Sequence, residues 1–209
     1  MILHGYYRST AAWRVRIALA LKGLTYEQAF HHLRRGEQRA ADYLAVNPQG
    51  LVPALVLGDG AVLTQSLAIV EYLDETHPSP LLLPADPVGR ARVRAFALAI
   101  ACDIHPVQNL IVLDHLRRVG LDEDAVQAWA REVIDRGLSA CERLLEASDG
   151  PFAFGDAPGL ADLCLVPQLA NARRFGVDLR WPRIAAVEAA CAEVPAFVAA
   201  RPENQPDAE

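Results

Sequence analysis

With 209 residues the chain has room for one or two domains, and its 20 Lys and Arg against 26 Asp and Glu, a net charge of −6, argue against general binding to nucleic acid or an anionic membrane. Lys22 is the only lysine, and an arginine fork suits carboxylates and phosphates, so small acidic ligands remain open. Cys102, Cys141, Cys164 and Cys191 form no CxxC pair and fall among apolar residues, which predicts buried, reduced thiols in a cytosolic protein without disulfides or metal; no segment reads as a leader or a membrane span.

The apolar and aromatic run 2–7 predicts a first strand, and Arg14, Val15, Ile17, Ala18, Leu19 and Leu21 at helical spacing predict a helix over 10–22 stopped by Gly23. A second strand follows over 26–32, then a helix over 36–46 ended by Asn47-Pro48. Runs 52–57 and 61–63 flank Gly58-Asp59-Gly60, a hairpin signal, and Leu67, Ile69, Val70 and Leu73 mark a helix over 65–77. The order β-α-β-α-β-β-α makes an α/β domain over 1–80, and four prolines between Pro78 and Pro87 predict a stiff linker at 81–87. The remainder, 88–209, reads as all-helical, with helices over 88–119, 122–148, 160–175 and 184–193 and a frayed polar tail over 202–209.

Ser9 and Thr10 stand at the entry of the first helix, where N–H groups lack intrahelical partners and the macrodipole is positive. A hydroxyl there caps the helix or donates to a bound anion. Gln65-Ser66 repeats the pattern at another helix start, ready for a carboxylate. Val52-Pro53 removes a ladder donor at a strand mouth, which predicts an edge position or a cis bond in a tight turn. His105 before Pro106 reads, alone, as a structural histidine. His31-His32 with Arg34-Arg35 has no third ligand, and adjacent strand residues face opposite sides, so no metal site is assigned.

The stretches RSTAAWRVRIALALKG, NPQGLVPAL, TQSLAIVEYLDE, DIHPVQNL and LADLCLVPQLANARRF are collinear over nearly the whole chain, to the QPD near its end. With the order of elements, they resemble the zeta class of glutathione transferases, the maleylacetoacetate isomerase family. The resemblance implies a thioredoxin-like first domain, an all-α second domain, a cytoplasmic homodimer, and glutathione as cofactor. It implies glutathione contacts at Ser9, Thr10, Ala11, Gln38, Val52, Pro53, Gln65 and Ser66, with Ser9 as the catalytic donor to the thiolate. From the second half it adds Asp103, His105, Asn109, Leu110 and Ile111, some reaching across the dimer. Arg8 and Arg174 match positions that face a dicarboxylate substrate. The implied activity, part of aromatic amino-acid catabolism, is cis–trans isomerisation of a maleyl diacid, maleylacetoacetate or maleylpyruvate, to its fumaryl isomer by thiolate addition, rotation and elimination. The rivals are a general glutathione transferase and a non-catalytic interaction module of the same fold.

The sequence departs from the family at four points. Thr10 and Ala11 replace the Ser-Cys of the usual Ser-Ser-Cys, so a mechanism needing a protein thiol there is excluded. Ile111 stands where maleylpyruvate isomerase-like sequences carry arginine, which speaks against the smaller substrate. Gly159 opens the helical-domain capping box in place of Ser or Thr, leaving only the Asp162 half.

Overall fold

The computed structural model describes residues Met1–Glu209 and divides into two compact units, Met1–Leu82 with Ala192–Glu209, and Leu83–Cys191. The C-terminal stretch, read from sequence as part of the helical domain, thus belongs by its contacts to the first unit.

The first unit holds β1 (Ile2–Gly5), α1 (Thr10–Leu21), β2 (Glu27–Phe30), α2 (Ala41–Val46), β3 (Ala54–Val56), β4 (Val62–Thr64) and α3 (Ser66–Thr76). The sheet order is β2-β1-β3-β4, with β1 parallel to β2 and antiparallel to β3, and β3 antiparallel to β4. Because α1 is buried nearly all round, even Arg14 and Arg16 are inside, at 2% and 3% exposure. Gly23, at φ +63°, ends the helix, as expected. Lys22 Nζ is tied to Asp74 Oδ1 at 2.7 Å and to the carbonyls of His77 and Pro80 at 2.6 Å, which fastens the end of α1 to the end of α3. In the expected hairpin, Leu57 N–H bonds Ala61 O at 2.8 Å.

The helix expected over 36–46 is shorter than the sequence predicts. Gly36 adopts φ +77°, a left-handed conformation that divides the stretch into 3-10 turns Leu33–Arg35 and Glu37–Arg39 ahead of α2. His31 and His32 follow β2 without extending it; His31 Nε2 lies 2.9 Å from His4 Nδ1, and His32 caps the first 3-10 turn.

The second unit comprises α4 (Pro87–Leu98), α5 (Leu110–Arg118), α6 (Glu123–Leu145), α7 (Leu160–Arg174) and α8 (Pro182–Ala192), the last running one residue into the first unit. The single helix expected over 88–119 is broken. After α4 the chain widens into a π-helical stretch, Ala99–Ile104, with His105 N–H bonding Ile100 O at 2.9 Å. Pro106, lacking an N–H, prevents the helix from continuing. At α7, Gly159 offers no side-chain cap, and Asp162 accepts the Gly159 and Ala153 N–H groups, each at 2.8 Å. The surviving half of the capping box therefore also anchors the preceding loop. Cys141, Cys164 and Cys191 are buried, while Cys102, expected inside, is exposed on the π-helical turn.

The C-terminal residues, back in the first unit, form α9 (Pro195–Ala199) and a 3-10 turn Pro202–Asn204, neither evident in the sequence. The tail expected to fray is anchored through Gln205, only 8% exposed, while Glu203, Asn204, Pro206, Ala208 and Glu209 stay exposed.

Candidate active site

The strand register determines where the first-unit candidates meet. Gly5 pairs with Phe30, His4 with Ala54, and Ala54 with Thr64. One end of the sheet therefore collects the exit of β1, the exit of β2, the entry of β3 and the exit of β4. The segments leaving that end carry Arg8 and Ser9, Gln38, Val52 and Pro53, and Gln65 and Ser66. It is the carboxyl end of the parallel pair, where open α/β sheets place their ligands.

Ser9 is the N-cap of α1, with extended backbone and 9% exposure. Its Oγ accepts the Ala12 N–H at 3.2 Å, and its own N–H bonds Tyr6 O at 2.9 Å. A hydroxyl that accepts through a lone pair keeps its proton to donate, so capping and donation to an anion coexist in one side chain. Thr10 is 4% exposed and its Oγ1 is buried without a hydrogen-bond partner, Ala11 is half-buried in the first turn, and Arg8 is half-buried just ahead of Ser9.

Of the two alternatives the sequence left at Val52–Pro53, the structure shows the cis bond, at the mouth of the inner strand β3, and both residues are buried. Gln65 precedes α3 at φ 68° and ψ 116°, the one positive φ outside glycine, and strain of this kind persists where the surroundings impose it. Its amide nitrogen donates to Gln49 Oε1 at 3.1 Å. Ser66 is 6% exposed, and Arg14 Nη1 donates to its Oγ at 3.3 Å, so a buried guanidinium backs the start of α3. Gln38 is 9% exposed with Oε1 buried and unpartnered, an acceptor in wait for a donor. Arg16, further along α1, is cationic at neutral pH, although burial pulls its pKa down to about 10. Gln49 and Arg14 escape a sequence reading; the available signal was two arginines in a helix otherwise apolar on every face.

In the second unit, Asp103 is exposed on the π-helical stretch and His105 ends it, half-buried. Asn109 caps α5, its Oδ1 accepting the Leu110 N–H at 2.8 Å, and Leu110 and Ile111 are exposed on the first turn. Arg174, at the end of α7, is exposed, next to Arg173, which is engaged with Glu188 at 2.6 Å.

Residues 8–76 match the glutathione S-transferase N-terminal domain, and residues 112–190 the glutathione S-transferase C-terminal domain. The chain is 53% identical to the maleylacetoacetate isomerase of Pseudomonas aeruginosa, covering 99% of this chain and 98% of that one. It resembles a holo structure of a maleylpyruvate isomerase, described as a bacterial zeta-class glutathione transferase, with a TM-score of 0.96, 49% identity and complete coverage of both chains. It also resembles maleylacetoacetate isomerase of Anaeromyxobacter dehalogenans 2CP-1, with dicarboxyethyl glutathione and citrate in the active site, with a TM-score of 0.90, 48% identity, and coverage of 99% of this chain and 96% of that one. The chain belongs to the glutathione S-transferase family. Within it, the likeness is to the zeta class and its maleyl-diacid isomerases.

Proposed function

We propose that the chain is a glutathione-dependent cis–trans isomerase acting on a maleyl diacid such as maleylacetoacetate. The observation that carries this reading is the convergence, at one end of the sheet, of a helix entry with a spare hydroxyl proton at Ser9, a cis-proline strand mouth at Val52–Pro53, and a second helix entry at Gln65–Ser66. The curated relatives and the neighbour holding dicarboxyethyl glutathione support the substrate class.

The residues fit glutathione chemically. Gln38 and Thr10 each carry a buried side-chain oxygen without a partner, and the first N–H groups of α1 and α3 have none within their helices. In this reading Val52 pairs its backbone with the cysteinyl part, and Gln65 and Ser66, with Arg14 behind Ser66, hold the γ-glutamyl carboxylate. Ser9 donates to the sulfur together with the dipole at the entry of α1, lowering a thiol pKa of about 8.5 toward neutrality. Bound there, glutathione supplies the sulfur whose addition to the conjugated alkene turns its C=C into a single bond, so that rotation and elimination yield the fumaryl isomer. Arg8 pairs with a substrate carboxylate and supports the negative charge that develops beside it. Asp103, His105, Asn109, Leu110 and Ile111 as glutathione contacts, Arg174 as a substrate carboxylate partner, the homodimer and the cytoplasmic location rest on the family resemblance.

The test is to incubate the protein and sub-stoichiometric glutathione with maleylacetoacetate and with maleylpyruvate in separate assays. Many turnovers to a fumaryl product per glutathione are expected. Stoichiometric consumption of glutathione into a conjugate would make the protein a general transferase, and no product from either diacid would sink the isomerase reading.

A further inference from the structure

Asp207, six residues into the tail expected to fray, bonds directly to the segment that presents Ser9. Its Oδ2 accepts the Tyr7 N–H at 2.9 Å, joining residues 200 positions apart in the chain. The Tyr7 carbonyl accepts Arg16 Nη2 at 2.9 Å, the Tyr6 carbonyl accepts Nη1 at 3.4 Å, and Arg16 Nε reaches Ala200 O, near the root of the tail, at 3.2 Å. Both backbone polar groups of Tyr7 are thus held, one by the tail and one by a buried arginine that grips the tail as well. Upstream, Gln205 secures the approach by donating to the Ala199 and Arg201 carbonyls at 3.0 and 2.9 Å. Beyond Asp207, Glu209 Oε1 bonds Arg35 at 2.9 Å, and Oε2 lies 3.4 Å from His32 Nε2, on the segment that leads to Gln38.

We propose that Asp207 is a positioning residue for Ser9, its carboxylate clamping Tyr7 so that the turn from Tyr6 to Ser9 delivers the Ser9 hydroxyl to the mouth of α1. This rests on the reading of Ser9 as the donor to the glutathione sulfur. The segment Tyr6–Ser9 has no helix or strand of its own; its one internal backbone bond is from Ser9 N–H to Tyr6 O at 2.9 Å. Without Asp207, the Tyr7 N–H, on a residue 8% exposed, loses its acceptor, and the turn opens to find another. A hydroxyl donor is directional, weakening steeply once its angle falls below about 120°, so a small rotation of Ser9 removes it from the sulfur while the other glutathione contacts stay. Asp207 Oδ1 is buried without a hydrogen-bond partner, an arrangement that faces the carboxylate inward, toward the Arg16 charge, and away from water.

The test is amide hydrogen exchange on the ligand-free protein, with thiol titration of the glutathione complex and steady-state kinetics alongside. Asp207→Ala is expected to speed exchange at the Tyr7 and Ala12 amides roughly tenfold or more, raise the thiolate midpoint, and lower kcat roughly three- to tenfold with the glutathione KM changed less than about twofold. Asp207→Asn, which keeps an acceptor for Tyr7, recovers most of each loss. Unchanged Ala12 exchange in Asp207→Ala, or an Asn variant as impaired as the Ala variant, overturns the proposal. If Asp207→Ala does not fold, Asp207→Glu, which displaces the acceptor by one methylene and keeps the charge, must show the same exchange signature; wild-type exchange there overturns it equally. Ser9→Ala, measured in parallel, separates the two readings. If neither Ser9→Ala nor Asp207→Ala moves the titration while Ala12 exchange accelerates in the latter, Asp207 stands as the positioning residue and Ser9 loses its role in thiolate formation.

Discussion

In the proposed function, Arg8 and Arg174 are the residues whose substitution would separate an isomerase of diacids from a transferase of neutral electrophiles. A maleyl diacid brings two carboxylates toward an anionic sulfur, and without cationic partners the like charges repel. A charge-assisted hydrogen bond is worth about 1.5–3 kcal/mol, or very roughly ten- to a hundredfold in kcat/KM. Arg8→Met or Arg174→Met is therefore expected to depress diacid isomerisation by that factor and to leave conjugation of a neutral chloroarene nearly intact, as parallel kcat/KM measurements will show. Equal losses on both substrates would assign the arginines to glutathione or to the fold. At this scale, sequence reads what is local: Ser9 and Gln65–Ser66 sit at helix starts, and Val52–Pro53 at a strand mouth. It does not read partners such as Arg14 for Ser66 and Asp207 for Tyr7, which meet across 52 and 200 positions through the sheet crossover and the returning tail.

The elements were legible wherever an apolar or amphipathic run of helical length continued, as in α1, α3 and α6, and in α7 despite Pro167 inside it. The reading failed where a single residue changes the helix type. Pro106 was visible, yet apolar spacing continued on both sides of it, so nothing in the pattern exposed the π-helical stretch before it. Ile104, the last residue of that stretch, packs against Gly137, in the interior of α6. A Cβ there would lie 2.3 Å from Ile104 Cγ1 and 2.4 Å from Cδ1, and Ile104 is 2% exposed with little room to retreat. Two effects compete in Gly137→Ala. The gain in helix propensity is about 1 kcal/mol, while forcing a methyl into a packed contact costs about 1–3 kcal/mol. The clash wins, so a net loss of roughly 1–2 kcal/mol is expected, read as a Tm lower by roughly 2–8 °C. The double variant Gly137→Ala with Ile104→Ala should be no less stable than Ile104→Ala alone, because the atoms in conflict are gone. Simple additivity of the two losses would refute the contact.

Across the whole molecule, the two units carry titrating groups of opposite sign, half-buried histidines in the first and a buried aspartate in the second, so acid should act on them in opposite directions. In the first unit His4 and His31 are packed together, 2.9 Å between ring nitrogens, with Tyr43 4.1 Å from His31 by ring centroids. Burial lowers both pKa values, helped at His4 by the His31 charge and opposed at His31 by Asp42 and Glu37. The unfolded chain then takes up protons first as the pH falls below about 6.5, so the stability these histidines contribute is complete above that pH and is lost as the pH falls through their lowered values. In the second unit burial raises Asp162 to about 6, against the pull of the Gly159 and Ala153 N–H groups and the Cys191 thiol. Here the folded form binds the proton first. Its contribution is complete below about 4 and is lost as the pH rises through about 6. Between pH 7.5 and 5 the slopes oppose each other, and a single global Tm would hide them. Amide protection factors, corrected for the intrinsic pH dependence of exchange, should therefore fall in β1 and β2 and rise in α7 on acidification. His4→Gln with His31→Gln should flatten the first trend without touching the second, and Asp162→Asn should flatten the second alone. Parallel changes in both units would mean that the chain opens as one cooperative body in which neither burial dominates.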